Sequence, residues 1–194
     1  MEVFAHPGDS VPELTLPNPW LLNGDPSTPV AQVFLVLGPT RGGWAEVLLA
    51  ERPNGSLGWV RLSAVDLLTD PYSIDVSIGT HTINVLDGGR IIYSGPVATG
   101  APTTPTPAGE YYIRVLLRPT EPNSVYGPYA YGLSAHSDAL TTFDGGDAEI
   151  GLHGNDDPSV LGQSVTHGCV RMDNAEITTL AAVLPLGTPV YLEP

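Results

Sequence analysis

The chain is expected to be mainly β, with one short helix, and three observations predict this. Glycine and proline, 22 and 20 of the 194 residues, punctuate the sequence too often for long helices. Apolar residues recur in short alternating runs bounded by turn signals, the pattern of half-buried strands. One segment alone, near the end of the chain, combines a capping residue, an acid in its first turn and a terminating proline.

Taken in order, residues 1–27 are rich in Pro, Asn, Asp and Ser and read as an extended lead-in. Residues 28–70 read as a small β module. Strand-like runs at Val30–Leu37 and Trp44–Ala50 flank a Pro39–Gly43 turn, and Arg52-Pro53-Asn54-Gly55 is a strong turn signal before Leu57–Leu62. Residues 71–194 form a larger second unit. Tyr72–Ile78 begins a new alternation, and His81–Leu86 and Arg90–Ser94 flank Asp87-Gly88-Gly89, whose residues tolerate the positive φ of a tight hairpin. The proline-rich run Pro102–Gly109 cannot lie in a central strand and reads as a surface loop. Glu110–Leu117 and Ala148–His153 read as strands, Asn174–Leu184 as the helix capped by Asp173 or Asn174, and Gly187–Leu192 as a last strand.

Charge narrows the function. The chain carries 21 acids against 7 bases, a net −14, and every base is arginine. Duplex DNA and anionic membranes need cationic surfaces, so neither is expected as a partner. The absence of lysine removes Ser-x-x-Lys chemistry and a phosphate-binding P-loop. No apolar run reaches the roughly 18 residues of a membrane-spanning helix.

The chemistry concentrates in residues 150–174. This window holds the one cysteine, Cys169, with His153 and His167 sixteen and two residues before it. A thiol needs a base nearby to become the nucleophilic thiolate. A buried cysteine is often a plain core residue. Here the flanking Thr166-His167-Gly168 and Val170-Arg171-Met172 leave no clean strand alternation, and Gly168 suggests a tight, exposed turn. His167 is too close in sequence to face the thiol easily, whereas His153 closes a preceding strand and can be brought back to it. One cysteine with a His-x-Cys spacing does not suit structural zinc, so no metal is expected. Asp156 and Asp157 read as solvated turn residues. Arg171 suits either a substrate carboxylate, held bidentately, or an ion pair with one of the many acids. Tyr126, Tyr129 and Tyr131, beside Gly127-Pro128, read either as a flap over the site or as core.

The His153-Gly154 pair, the intervening loop and the Thr166-His167-Gly168-Cys169-Val170 run resemble the signature of the L,D-transpeptidases of the YkuD type, enzymes of bacterial cell-wall assembly. The Thr-Pro-Thr-Pro-Ala-Gly run before Tyr111-Tyr112-Ile113, and Tyr126–Ser134, carry the resemblance across roughly residues 72–194. Trp44-Ala45-Glu46-Val47 and Gly58-Trp59-Val60 are in turn similar to bacterial SH3-like modules. The resemblance implies a small SH3-like β-barrel followed by a β-sandwich-like catalytic domain. It implies a cysteine transpeptidase that cleaves the L,D bond of a peptidoglycan tetrapeptide stem through a Cys169 thioester and forms 3→3 crosslinks in cell-wall biogenesis, with a part in cell shape. It makes His153 the base and the carbonyl of Gly154 the acceptor that fixes its tautomer. It sets Thr166, His167 and Gly168 in the site wall, with the amides of Gly168 and Cys169 as oxyanion donors. Arg171, Tyr126 and Tyr129 would bind substrate, helped by Arg114 or Arg118. Stem peptides would be donor and acceptor, and carbapenems would acylate the same thiol. The first ten residues show neither the basic nor the apolar stretch of a signal peptide, so either a cytoplasmic protein or one stripped of an export segment is expected. The resemblance favours a protein working outside the cytoplasm, in wall or periplasm, after removal of an export segment. An L,D-carboxypeptidase of the same fold and a non-catalytic wall-binding protein are the alternatives.

Overall fold

A computed structural model describes residues 1–121, 124–143 and 145–194. It is mainly β, as expected. Four short strands open the chain: β1 (Glu2–Val3), β2 (Leu14–Thr15), β3 (Trp20–Leu21) and β4 (Pro29–Val30). β5 (Leu35–Val36), β6 (Trp44–Leu48) and β7 (Leu57–Arg61) then form a three-stranded antiparallel sheet. A separate core sits under it, built from Val3, Leu16, Ala45, Val47, Leu49 and Val60. Residues 1–27 are therefore not an extended lead-in. Val3, Phe4, Leu16 and Trp20 are buried, and Phe4 pairs with Trp59 through both backbone groups. The sequence obscures this because the strands are two residues long, too short to show alternation between their prolines.

The larger unit contains β8 (Tyr72–Ser77), β9 (Thr82–Asp87), β10 (Arg90–Pro96), β11 (Thr99–Gly100), β12 (Gly109–Leu117), β13 (Ala130–His136), β14 (Glu149–His153), β15 (Ser164–Thr166), β16 (Val170–Arg171), the helix α1 (Asn174–Ala181) and β17 (Pro189–Glu193). Eight of these strands make one sheet in the order β10-β9-β8-β17-β12-β13-β14-β16. The β9–β10 hairpin turns at Gly88 and Gly89, both at positive φ, as the Asp-Gly-Gly signal predicts. Inward-facing Ile74, Val76, Ile83, Val85, Ile113, Leu133, Ile150, Leu152 and Val190 form its core.

The helix is shorter than expected, stopping at Ala181 instead of Leu184. Of the two capping candidates, Asp173 accepts from the amides of Ala175 and Glu176. Ile177 and Leu180 face the core, and Tyr131 fastens the helix by donating its hydroxyl hydrogen to the Leu180 carbonyl at 2.9 Å. Two residues separate α1 from β16, so its docking helps to fix the strand that follows Cys169.

Candidate active site

The site lies at the β14–β16 edge of the sheet. These strands run parallel, with Leu152 opposite Val170 and His153 opposite Arg171, which brings two residues distant in sequence onto one wall. Cys169 sits just before β16, partly exposed, and its sulfur accepts from the Gly151 amide at 3.3 Å. A Cβ at Gly151 would stand 3.4 Å from His153 Cδ2 and 3.8 Å from Cys169 Sγ. Glycine at 151 thus leaves room where the imidazole edge and the sulfur converge.

His153 is buried, 2 % exposed. Its Nδ1 lies 2.6 Å from the carbonyl oxygen of Gly154. A carbonyl can only accept, so Nδ1 carries the proton and Nε2 keeps its lone pair. Burial lowers the imidazole pKa to about 4, against the opposing effect of the Gly154 bond. The ring is therefore neutral and able to take a proton near pH 7. Burial also pushes the Cys169 thiol up, offset by the Gly151 amide and the Arg171 charge. The resting pair is a neutral thiol beside a neutral imidazole.

Behind Gly154 lies a bracket that sequence reasoning missed. The Asn155 amide donates to Asn174 Oδ1 at 2.8 Å, and Asn174 Nδ2 returns a bond to the Asn155 carbonyl at 2.8 Å. Asn155 Nδ2 also donates to the Met172 carbonyl. A Cβ on Gly154 or Gly127 would collide with Asn174 Oδ1, so two glycines meet back to back beneath the imidazole. Asn174 stood out in the sequence only as a helix cap, and no sequence signal pointed to Asn155.

The loop before Cys169 is held from both sides. Thr166 Oγ1 donates to the Cys169 carbonyl at 2.6 Å and accepts from the Gly168 amide at 3.1 Å. Thr106, buried in the proline-rich loop, donates to the Gly168 carbonyl and accepts from the Gly100 amide, each at 2.8 Å. Gly168 is buried at φ +120° and packed on Ile150, so the expected exposed turn is instead an inward one. Its amide is already committed to Thr166. Of the two amides expected as oxyanion donors, that leaves Cys169.

The cleft is lined by Val125, Tyr126, Leu140, Phe143, His153, Thr166, His167, Cys169 and Arg171, among others. His167 is exposed, its ring lying 5.2 Å from that of Phe143. Tyr126 meets His153 edge-to-face at 5.0 Å. Arg171 faces the cleft with a loose contact to Asp156, 4.0 Å, and its buried Nε has no partner among the described residues. Tyr129 does not line the cleft. It is half-buried and packs against the main core, with the Arg118 guanidinium 5.8 Å from its ring. Tyr131 is fully buried and belongs to the core. Arg114 is not free to guide a ligand, since it is paired with Glu149 and stacked over Trp20.

A family model described as the L,D-transpeptidase catalytic domain, YkuD, matches residues 71–192. A Bacillus subtilis protein whose name assigns it to the L,D-transpeptidases, YkuD, is 35 % identical over 127 residues, covering 66 % of this chain and 69 % of that one. A second one, from Bacillus licheniformis, is 33 % identical over 126 residues, with 65 % and 68 % covered. Among solved structures, an L,D-transpeptidase from Mycobacterium tuberculosis superposes with a TM-score of 0.52 at 19 % identity, covering 87 % of this chain and 78 % of that one. L,D-transpeptidase 3 of the same species, in complex with a faropenem-derived adduct, gives 0.51 at 17 % identity, with 87 % and 80 % covered. These structures share the fold.

Proposed function

Since the chain belongs to the YkuD family of L,D-transpeptidase catalytic domains, we propose that it is a cysteine acyltransferase of peptidoglycan stems, with Cys169 as nucleophile and His153 as general base. The observation that carries this reading is the His153–Gly154 contact. It fixes the tautomer with Nε2 unprotonated in the cleft that Cys169 lines.

His153 Nε2 takes the thiol proton as Cys169 Sγ attacks the carbonyl of the third stem residue. The Cys169 amide faces the developing oxyanion. Collapse breaks the L,D bond, and the proton on Nε2 passes to the departing D-Ala amine, leaving a thioester. A side-chain amine of a second stem attacks the thioester, gives its proton to His153, and expels the thiolate, which is reprotonated. The product is a 3→3 crosslink. Neither metal nor organic cofactor takes part. His167 and Tyr126 flank the reacting groups, and Arg171, whose buried Nε has no partner among the described residues, receives a substrate carboxylate.

A penem adduct is described for the Mycobacterium tuberculosis relative, and β-lactams of that class, carbapenems included, are expected to acylate Cys169 here. The substrate implies work outside the cytoplasm, at the wall. The Gly58-Trp59-Val60 strand, joined to Phe4, supports reading the N-terminal module as SH3-like.

Mass spectrometry of wild type and Cys169→Ala with a disaccharide-tetrapeptide and a diamino-acid amine tests the reading. A crosslinked product and a transient acyl adduct on wild type alone are expected. Tripeptide without crosslink would make the protein an L,D-carboxypeptidase. No Cys169-dependent product would leave wall binding as the function.

A further inference from the structure

One wall of the cleft comes from the segment joining β13 to β14, and this segment is held from outside its own unit. Ser137, Leu140, Phe143 and Ala148 all line the cleft. Among its described residues, Ser137 Oγ accepts from the amides of Ala139 and Leu140, Ser137 pairs with Ala148, and Phe143 pairs with Gly146.

The remaining support comes from the turn between β6 and β7 of the N-terminal module. Arg52 Nη1 donates to the Ser137 carbonyl at 2.9 Å, and Nη2 donates to the carbonyls of Leu140 at 3.1 Å and Asp147 at 2.9 Å. Arg52 Nε adds the Asp147 carboxylate at 3.4 Å. Asn54 brackets the backbone of His136, donating to its carbonyl at 2.7 Å and accepting from its amide at 2.9 Å. The buried His136 ring meets the same Asp147 at 3.2 Å through Nε2. One planar fork thus ties together both ends and the middle of a loop, a task that suits guanidinium and not ammonium.

We propose that the N-terminal module is a structural part of the cleft, with Arg52 and Asn54 as positioning residues that set the wall carrying Leu140 and Phe143. Both residues lie outside the 71–192 region that the family model matches. Through Phe143, whose ring lies 5.2 Å from that of His167 at a tilt of 36°, the module fixes the width of the entrance to Cys169. The effect on turnover rests on the acyl-transfer reading; the effect on access to the thiol does not.

The test measures alkylation of Cys169, the one thiol of the chain, by iodoacetamide and by the bulky fluorescein maleimide, in wild type, Arg52→Ala and Arg52→Lys. Release of the wall is expected to raise the maleimide-to-iodoacetamide rate ratio at least fivefold in both variants, while the iodoacetamide rate stays within twofold. KM for a tetrapeptide donor is expected to rise at least fivefold with kcat within twofold. Arg52→Lys keeps the charge beside Asp147 and reads the proposal should Arg52→Ala not fold. A ratio unchanged within twofold in the folded variants overturns it, whatever the turnover. A raised ratio in a protein whose wild type transfers no acyl group supports it, and sinks the acyl-transfer reading alone.

Discussion

Asn155 and Asn174 exchange backbone and side-chain hydrogen bonds, each 2.8 Å long, and so pin the first turn of α1 to the residue after Gly154. The Gly154 carbonyl orients the His153 ring, which makes Asn174 part of that orientation without touching it. Replacing Asn174 by Ala removes both bonds and leaves a buried amide unpaired, at about 1–3 kcal/mol. Asn174→Ala is expected to lower the melting temperature by several degrees and kcat at least tenfold. Thermal melts and steady-state kinetics check it, and unchanged kcat would disconnect the bracket from the imidazole.

The pKa of His153, lowered to about 4 by burial, makes a prediction about stability. The unfolded ring has an ordinary pKa near 6.5. Between these values the unfolded chain binds a proton that the folded one does not. Stability is therefore full above about pH 6.5 and falls as pH drops toward 4, by about 3 kcal/mol from this residue. Urea unfolding across that range should show the slope in wild type, and a smaller one in His153→Gln.

A neutral resting pair also shapes the reactivity of the thiol. Burial raises the Cys169 pKa, so iodoacetamide alkylation should keep increasing with pH through the ordinary thiol value of about 8.5. A plateau reached below pH 7 would reveal a thiolate–imidazolium ion pair instead.

Thr166 closes the loop on itself by bonding both Gly168 and Cys169. Thr166→Val keeps the shape and removes the hydroxyl. Losing about 1.4–2.7 kcal/mol corresponds to a roughly 10- to 100-fold fall in kcat/KM. The fall should appear in kcat with KM nearly constant, because the hydroxyl holds the nucleophile and not the substrate.

Arg171→Ala should act the other way, raising KM for carboxylate-bearing donors about tenfold with kcat little changed. An unaltered KM would reduce Arg171 to a partner of Asp156.

Some of this was legible in the chain and some was not. The β9–β10 hairpin followed from Asp87-Gly88-Gly89, and the start of the helix, though not which of Asp173 and Asn174 caps it, from the acidic first turn, because both are local chemistry. The convergence of His153 and Cys169 was legible only through the motif, since the parallel β14–β16 pairing joins segments that carry no local mark of each other. Burial of Val3, Phe4 and Leu16 escaped notice among prolines. For Tyr129 and Tyr131 the sequence left core and flap equally open, because alternation tells which residues share a face but not which face looks inward. Arg52 gave a turn signal but none of its tertiary role: three of its four partners are backbone carbonyls, which have no residue type, and the fourth, the Asp147 carboxylate, is one acid among many.

The last strand, β17, lies in the middle of the eight-stranded sheet, parallel to β8 on one side and antiparallel to β12 on the other. Among the described strand pairings of that sheet, β17 alone joins the β8–β10 half to the half that bears His153. Every other strand of that sheet is synthesised before it. A chain still growing on the ribosome therefore holds two half-sheets that share no strand pairing until residues 189–193 emerge, and the sheet behind Cys169 stays incomplete until then.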